Sequence, residues 1–77
     1  MTRLRVLPVD APRLTVNGDE RPLAPGQTVA GLVAELAPGA RMVAVERNGE
    51  IVPRSRWGTT TLVEGDRVEL VRFVQGG

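Results

Sequence analysis

The residues of this chain best placed to do chemistry are its last five, Phe73-Val74-Gln75-Gly76-Gly77. A strand-like run stops there in two glycines. Two residues without a Cβ can slide through a gap too narrow for any side chain. The carboxylate of Gly77 would then be the only reactive group that such a tail presents, open to activation as an acyl donor. A glycine pair at a chain end is also what fraying looks like, since most termini are poorly ordered. On these five residues alone fraying is the commoner outcome.

Other chemistries are closed by what the chain lacks. Among its 77 residues there is no cysteine, so no disulfide, thiolate nucleophile or zinc-thiolate site can form. Histidine, the usual general base and commonest transition-metal ligand, is absent as well. Ser55, Thr59, Thr60 and Thr61 therefore cannot enter a Ser-His-Asp unit. All ten basic residues are arginines, which reads as a genomic preference. It also means that no lysine side chain could capture an activated Gly77, and only the α-amine could. Glu64, Asp66 and Glu69, three carboxylates in six residues, are of the type that binds a hard cation. No complementary cluster appears elsewhere, so they are read as solvated turn and strand positions, as are Asp19-Glu20, and no metal site is expected. There is no P-loop or dinucleotide fingerprint, so no cofactor is expected on this chain, and any ATP belongs to a partner.

Charge and hydropathy exclude more. A net charge of +1 makes no field that would argue for nucleic acid or an anionic membrane. Arg54-Ser55-Arg56-Trp57 is the best nucleic-acid candidate, because guanidinium groups and an aromatic ring can hold phosphates and a base. One aromatic and two arginines are not a stacking platform, and Trp57 is read instead as filling the gap between a loop and the core. No apolar run approaches the twenty or so residues that span a bilayer. Residues 1–10 have too short an apolar core, broken by Pro8, for a signal peptide. The expected compartment is the cytoplasm. A single domain of this size has no room for a deep catalytic cleft, so an enzyme acting alone is not expected.

The elements that must position the tail can be read in order. Residues 1–12 are expected to be a flexible lead-in, interrupted by Pro8 and Pro12. Arg13 to Val16 alternates as a half-buried strand. Asn17-Gly18 marks a tight turn with positive φ at both positions, and a return strand is expected over Glu20 to Ala24. Pro22 donates no ladder hydrogen bond, which puts that strand at an edge or ends it early. Thr28 is a natural N-cap. Val29, Leu32, Val33 and Leu36 fall at i, i+3, i+4 and i+7, one apolar stripe of a helix that Pro38-Gly39 stops. Gly31 weakens this helix by about 1 kcal/mol relative to alanine. A strand over Met42 to Glu46, a turn at Asn48-Gly49 and a brief strand at Ile51-Val52 follow. Arg54 to Thr60 reads as a loop or single helical turn around Trp57. Leu62 is an isolated anchor and Glu64-Gly65-Asp66 a turn. The last strand is expected from Arg67 to about Val74.

The order β-β-α-β-β-β predicts an α+β fold with one helix packed across one face of a mixed sheet of four to five strands. This layout resembles the β-grasp, or ubiquitin-like, architecture, in which first and last strands lie side by side in the middle. Residues 13–74 would make the domain and 75–77 a flexible Gly-Gly tail. In the last strand Val68 and Leu70 are the better set for the helix side. Val71 and Phe73 would then lie on the uncovered face beside the tail, as a patch for protein docking. The other reading packs them under the loop that carries Trp57.

Three stretches carry a more specific resemblance: NGDERPLAPGQTVAGLVAEL, VERNGEIVPRSRW and LVEGDRVELVRFVQGG. Together they resemble the sulfur carrier proteins of thiamine biosynthesis, the ThiS type, over about residues 13–77. The terminal Gly-Gly is shared by all ubiquitin-like modifiers, whereas NGEIVPRSRW followed by EGDRVELV is far more specific. The first dozen residues depart from the family, whose members start near the first strand. The resemblance implies a non-enzymatic protein co-substrate, a monomer when free. An E1-like adenylating enzyme would join the Gly77 carboxylate to AMP, using ATP and magnesium. Sulfur relayed from a cysteine desulfurase would then replace AMP to leave a thiocarboxylate, which donates sulfur to thiazole synthase. Gln75 and Gly76 would thread into the partner's active site, and Val71 and Phe73 would be the docking patch. Two other readings stay open: a sulfur carrier of another pathway, as in molybdopterin synthase's small subunit or tRNA thiolation, and a β-grasp module binding RNA or protein through Arg54, Arg56 and Trp57.

Overall fold

The computed structural model describes residues 11–39 and 41–73. Residues 1–10, Ala40 and residues 74–77 lie outside the described residues, and with them most of the expected lead-in and the whole Gly-Gly tail. The elements are β1 (Arg13–Val16), β2 (Asp19–Pro22), α1 (Val29–Leu36), β3 (Val43–Arg47), β4 (Glu50–Ile51), a 3-10 turn (Arg54–Arg56) and β5 (Arg67–Arg72). They form one five-stranded sheet in the order β2-β1-β5-β3-β4. β5 lies between β1, to which it is parallel, and β3, to which it is antiparallel.

Both Asn-Gly turns form as expected, with φ of 51° and 86° at Asn17 and Gly18 and 52° and 85° at Asn48 and Gly49. Asparagine tolerates the left-handed region because its short polar side chain can hydrogen-bond locally. Element bounds shift by one or two residues from the sequence reading. β2 begins at Asp19 and ends at Pro22, and as an edge strand it does not need the N–H that Pro22 lacks. β3 begins at Val43 and β4 at Glu50.

α1 is short, and its N-terminus is tied down from three sides. The Oγ1 of Thr28 accepts from Gly31 N at 3.1 Å, while the carbonyls of Thr60 and Trp57 accept from Val29 N at 3.0 Å and Ala30 N at 2.9 Å. Every helix starts with backbone donors that have no intrahelical partner. Here a loop distant in sequence supplies acceptors for two of them. That loop is itself anchored by Trp57, whose Nε1 donates to Val52 O at 2.9 Å.

The core lies between α1 and one sheet face. It joins Val29, Leu32, Val33 and Ala37 to Leu14, Val16, Val45 and Val68 from the three central strands, with Trp57 and Leu62 closing the side. Trp57 and Leu62 thus take the structural places expected of them. Fully burying one aliphatic side chain stabilises by about 1.5–3 kcal/mol, so this cluster is the main favourable contribution in so small a domain. The opposite sheet face is uncovered by any described element.

Candidate functional site

The site begins at β5, because this strand leads into the tail. It is held along both edges. Beyond the ladders, Asn17 Oδ1 accepts from Leu70 N at 2.9 Å and Asn48 Oδ1 from Arg67 N at 2.9 Å. The two turn asparagines therefore extend the pairing of β5 on either side. At its far end Phe73 N donates to Met42 O at 2.9 Å. Order in β5 is thus maintained up to the residue before the undescribed segment.

The start of β5 is fastened by Asp66, and here the sequence reading is corrected. Asp66 is not a solvated turn residue; it is 4% exposed. Its carboxylate accepts from Arg47 Nε at 2.9 Å, Asn48 Nδ2 at 3.0 Å and Val63 N at 2.8 Å. Burial by itself would raise its pKa. The hydrogen bonds from Val63, Asn48 and Arg47, with the charge of Arg47, outweigh that and hold it below the usual aspartate value. Glu64 and Glu69 are exposed, as expected. Among the described residues no group of three or more His, Cys, Asp or Glu side chains is placed to hold a metal.

Val71 and Phe73 lie on the uncovered face, 44% and 53% exposed. Ladder register pairs Val71 with Ala44 and Glu69 with Glu46, so these four share that face, while Val45 and Val68 point into the core. Trp57 belongs to the core on the helix side. Packing of Val71 and Phe73 under the Trp57 loop is therefore not what the fold does. Two residues missed in the sequence enlarge the patch: Ile51, which pairs with Glu46 and is 70% exposed, and Met42, 49% exposed. The imperfect alternation of the stretch from Met42 concealed this face, and only the register reveals it. Arg54 stacks on the Trp57 ring at 4.7 Å from its centroid. With that ring 8% exposed, no base could stack on it. Gln75, Gly76 and Gly77, the residues expected to thread and react, lie outside the described residues.

A family model described as the ThiS family matches residues 14–77. The chain belongs to the ThiS family. Its fold is accordingly the β-grasp, and a ThiS crystal structure from Geobacter metallireducens superimposes with a TM-score of 0.71 at 38% identity, covering 84% of this chain and 99% of that one. The sulfur carrier protein ThiS of Escherichia coli is 31% identical over 84% of this chain and 98% of its own length. A thiazole synthase of Paramagnetospirillum magneticum is 45% identical over 65 residues, 84% of this chain. The chain spans about a fifth of that protein, 20% of its length. The described residues display a final strand braced along both edges with an apolar open face beside it, and the family match runs on to Gly77.

Proposed function

We propose that this protein is the sulfur carrier for assembly of the thiazole moiety of thiamine. The observation that carries the reading is the family match through Gly77, on a chain whose last strand is braced from both sides. The reading requires a free carboxylate at Gly77. A partner enzyme, using ATP and magnesium, joins one oxygen of that carboxylate to the α-phosphorus of ATP, releasing pyrophosphate. The terminal sulfur of a persulfide, drawn indirectly from a cysteine desulfurase, then attacks the carbonyl carbon and expels AMP, and a partner thiol reduces the resulting acyl disulfide, forming a disulfide and leaving a thiocarboxylate. Thiazole synthase accepts the sulfur. The chain itself performs no catalysis. It presents the acyl group, and Gln75 and Gly76 pass through the narrow approach to each partner's site because neither a branched nor an aromatic side chain blocks it. On this reading the protein works in the cytoplasm, where ATP and the desulfurase are available.

The test is intact mass after incubation with ATP, a sulfur source and the cognate activating enzyme. One sulfur in place of one oxygen at Gly77 is expected, and deletion of Gly77 should abolish the change while leaving the thermal unfolding transition in place. No mass change in the intact chain would overturn the carrier reading.

A further inference from the structure

The open sheet face carries two carboxylates for which the described residues supply no counter-charge. Ladder register sets Glu46 directly opposite Glu69, with Ile51 beside Glu46 on the next strand and Val71 two places along from Glu69. Directly opposed residues on one face of an antiparallel pair hold their Cβ atoms about 4.5–5.5 Å apart, and like charges so placed are destabilising. The ion pairs of the described fold are Arg13 with Glu20, Arg21 with Glu35 and Arg47 with Asp66. None of them reaches Glu46 or Glu69, and Arg67, on the same face two positions before Glu69, pairs with neither. A surface that covers this face well must therefore bring cations and apolar groups together. The chain itself contains such a segment. Residues 1–10 precede the family match, which begins at residue 14. They carry Arg3 and Arg5 among Leu4, Val6 and Leu7, with Asp10 as their one acid.

We propose that residues 1–10 form an arm that covers the open sheet face, with the guanidinium groups of Arg3 and Arg5 meeting the Glu46–Glu69 pair. Resting on the carrier reading, the arm then competes for that face with the enzyme that activates Gly77. The point of departure is fixed, because Pro12 O accepts from Leu23 N at 3.0 Å at the start of β1. From the level of Arg13, register puts Glu69 four residues along the sheet on the next strand and Glu46 one strand further. Strand rise and spacing make those separations about 14–16 Å. Arg5 stands seven residues before Pro12, a reach of about 23–25 Å when extended. That leaves chain to round the end of the strand. Tethering gives the arm an effective concentration on the order of millimolar, so a contact too weak to hold a free peptide is populated here. A second copy is the poorer occupant, because a two-fold pairing of this face with itself brings four glutamates into one interface. A phosphate backbone is repelled by the same pair.

The chain has no cysteine, so a nitroxide on Thr2→Cys labels one place, and its relaxation effect on backbone amides locates the arm. Amides of Ala44, Glu46, Ile51 and Val71 should broaden, and those of Leu32 and Leu36 on α1 should not. Arg3→Glu with Arg5→Glu should remove the broadening. Adding Glu46→Arg with Glu69→Arg should restore it, which side chains acting independently would not do. Broadening confined to Leu23 and its neighbours, or unchanged by the charge reversal, would overturn the arm. So would equal broadening in isotope-labelled chains mixed with unlabelled, nitroxide-bearing ones, since that assigns the face to a second copy. Affinity for the cognate activating enzyme tests the competition. Arg3→Glu with Arg5→Glu should raise it about threefold to fivefold, as expected of an arm that occupies the face about two-thirds to four-fifths of the time. Equal affinities would overturn the competition. If neither chain binds the enzyme or acquires sulfur, the carrier reading has failed, while the amide broadening still decides the arm.

Discussion

At the scale of single residues, Asp66 has the largest structural consequence. One buried carboxylate holds the β3–β4 turn, the Val63 backbone and the start of β5 together through three charge-assisted bonds. Asp66→Asn should cost about 2–3 kcal/mol at neutral pH, read from chemical denaturation, because an amide cannot accept from all three donors. The pH dependence follows from the lowered pKa. A carboxylate with a folded-state pKa below its unfolded value of about 3.9 contributes fully above that value. Its contribution is lost as pH falls through the folded value. The stability gap between wild type and Asp66→Asn should therefore be constant from pH 7 to about 5 and close on further acidification. A gap that widened in acid would show that the carboxylate is not stabilised as described. In the sequence Asp66 was indistinguishable from the solvated acids beside it, since only the fold brings Arg47 and Asn48 to it.

Among the elements, α1 is the most legible in the sequence and the most improvable. Its stripe, its Thr28 cap and its stop were all readable, because each depends on residues within one or two turns. Gly31 is exposed on this helix, and a methyl group there would meet the end of the Gln27 side chain, at 3.1 Å from Nε2, and the Thr28 Oγ1 at an ordinary contact of 3.5 Å. That flexible amide can move, so Gly31→Ala should stabilise the domain by about 0.5 kcal/mol, somewhat less than the full propensity difference. A measured loss of stability would mean that the Gln27 amide is fixed by its bond to Thr28 O. The rest of the helix N-terminus was not readable: the acceptors for Val29 N and Ala30 N arrive from Trp57 and Thr60, about thirty positions away in the chain.

For the whole molecule, α1 covers one sheet face and leaves the other open, so the proposed docking patch lies apart from the core. Val68 and Phe73 illustrate it within one strand region, 1% and 53% exposed. Phe73→Ala removes no core contact, so unfolding free energy should change by less than about 1 kcal/mol. If the proposed carrier reading holds and Phe73 anchors docking, affinity for the activating enzyme should fall by about tenfold or more. Calorimetry on the free chain and a binding titration read the two effects separately. Destabilisation by several kcal/mol would instead assign Phe73 to the core.

The local features of this protein were determined by its sequence alone. The Asn-Gly turns, the helix and its cap, the edge position of the strand with Pro22, and the family resemblance along residues 13–77 all rest on neighbouring residues or contiguous motifs. Tertiary structure decided everything that depends on register between distant strands. It put Val71 opposite Ala44 and Phe73 beside Met42, leaving an apolar open face that the sequence had left even with a buried alternative. It buried Asp66, and it turned the side chains of Asn17 and Asn48 to brace β5. A one-residue slip in register would reverse every one of these faces, and no local propensity specifies which pairing closes the core.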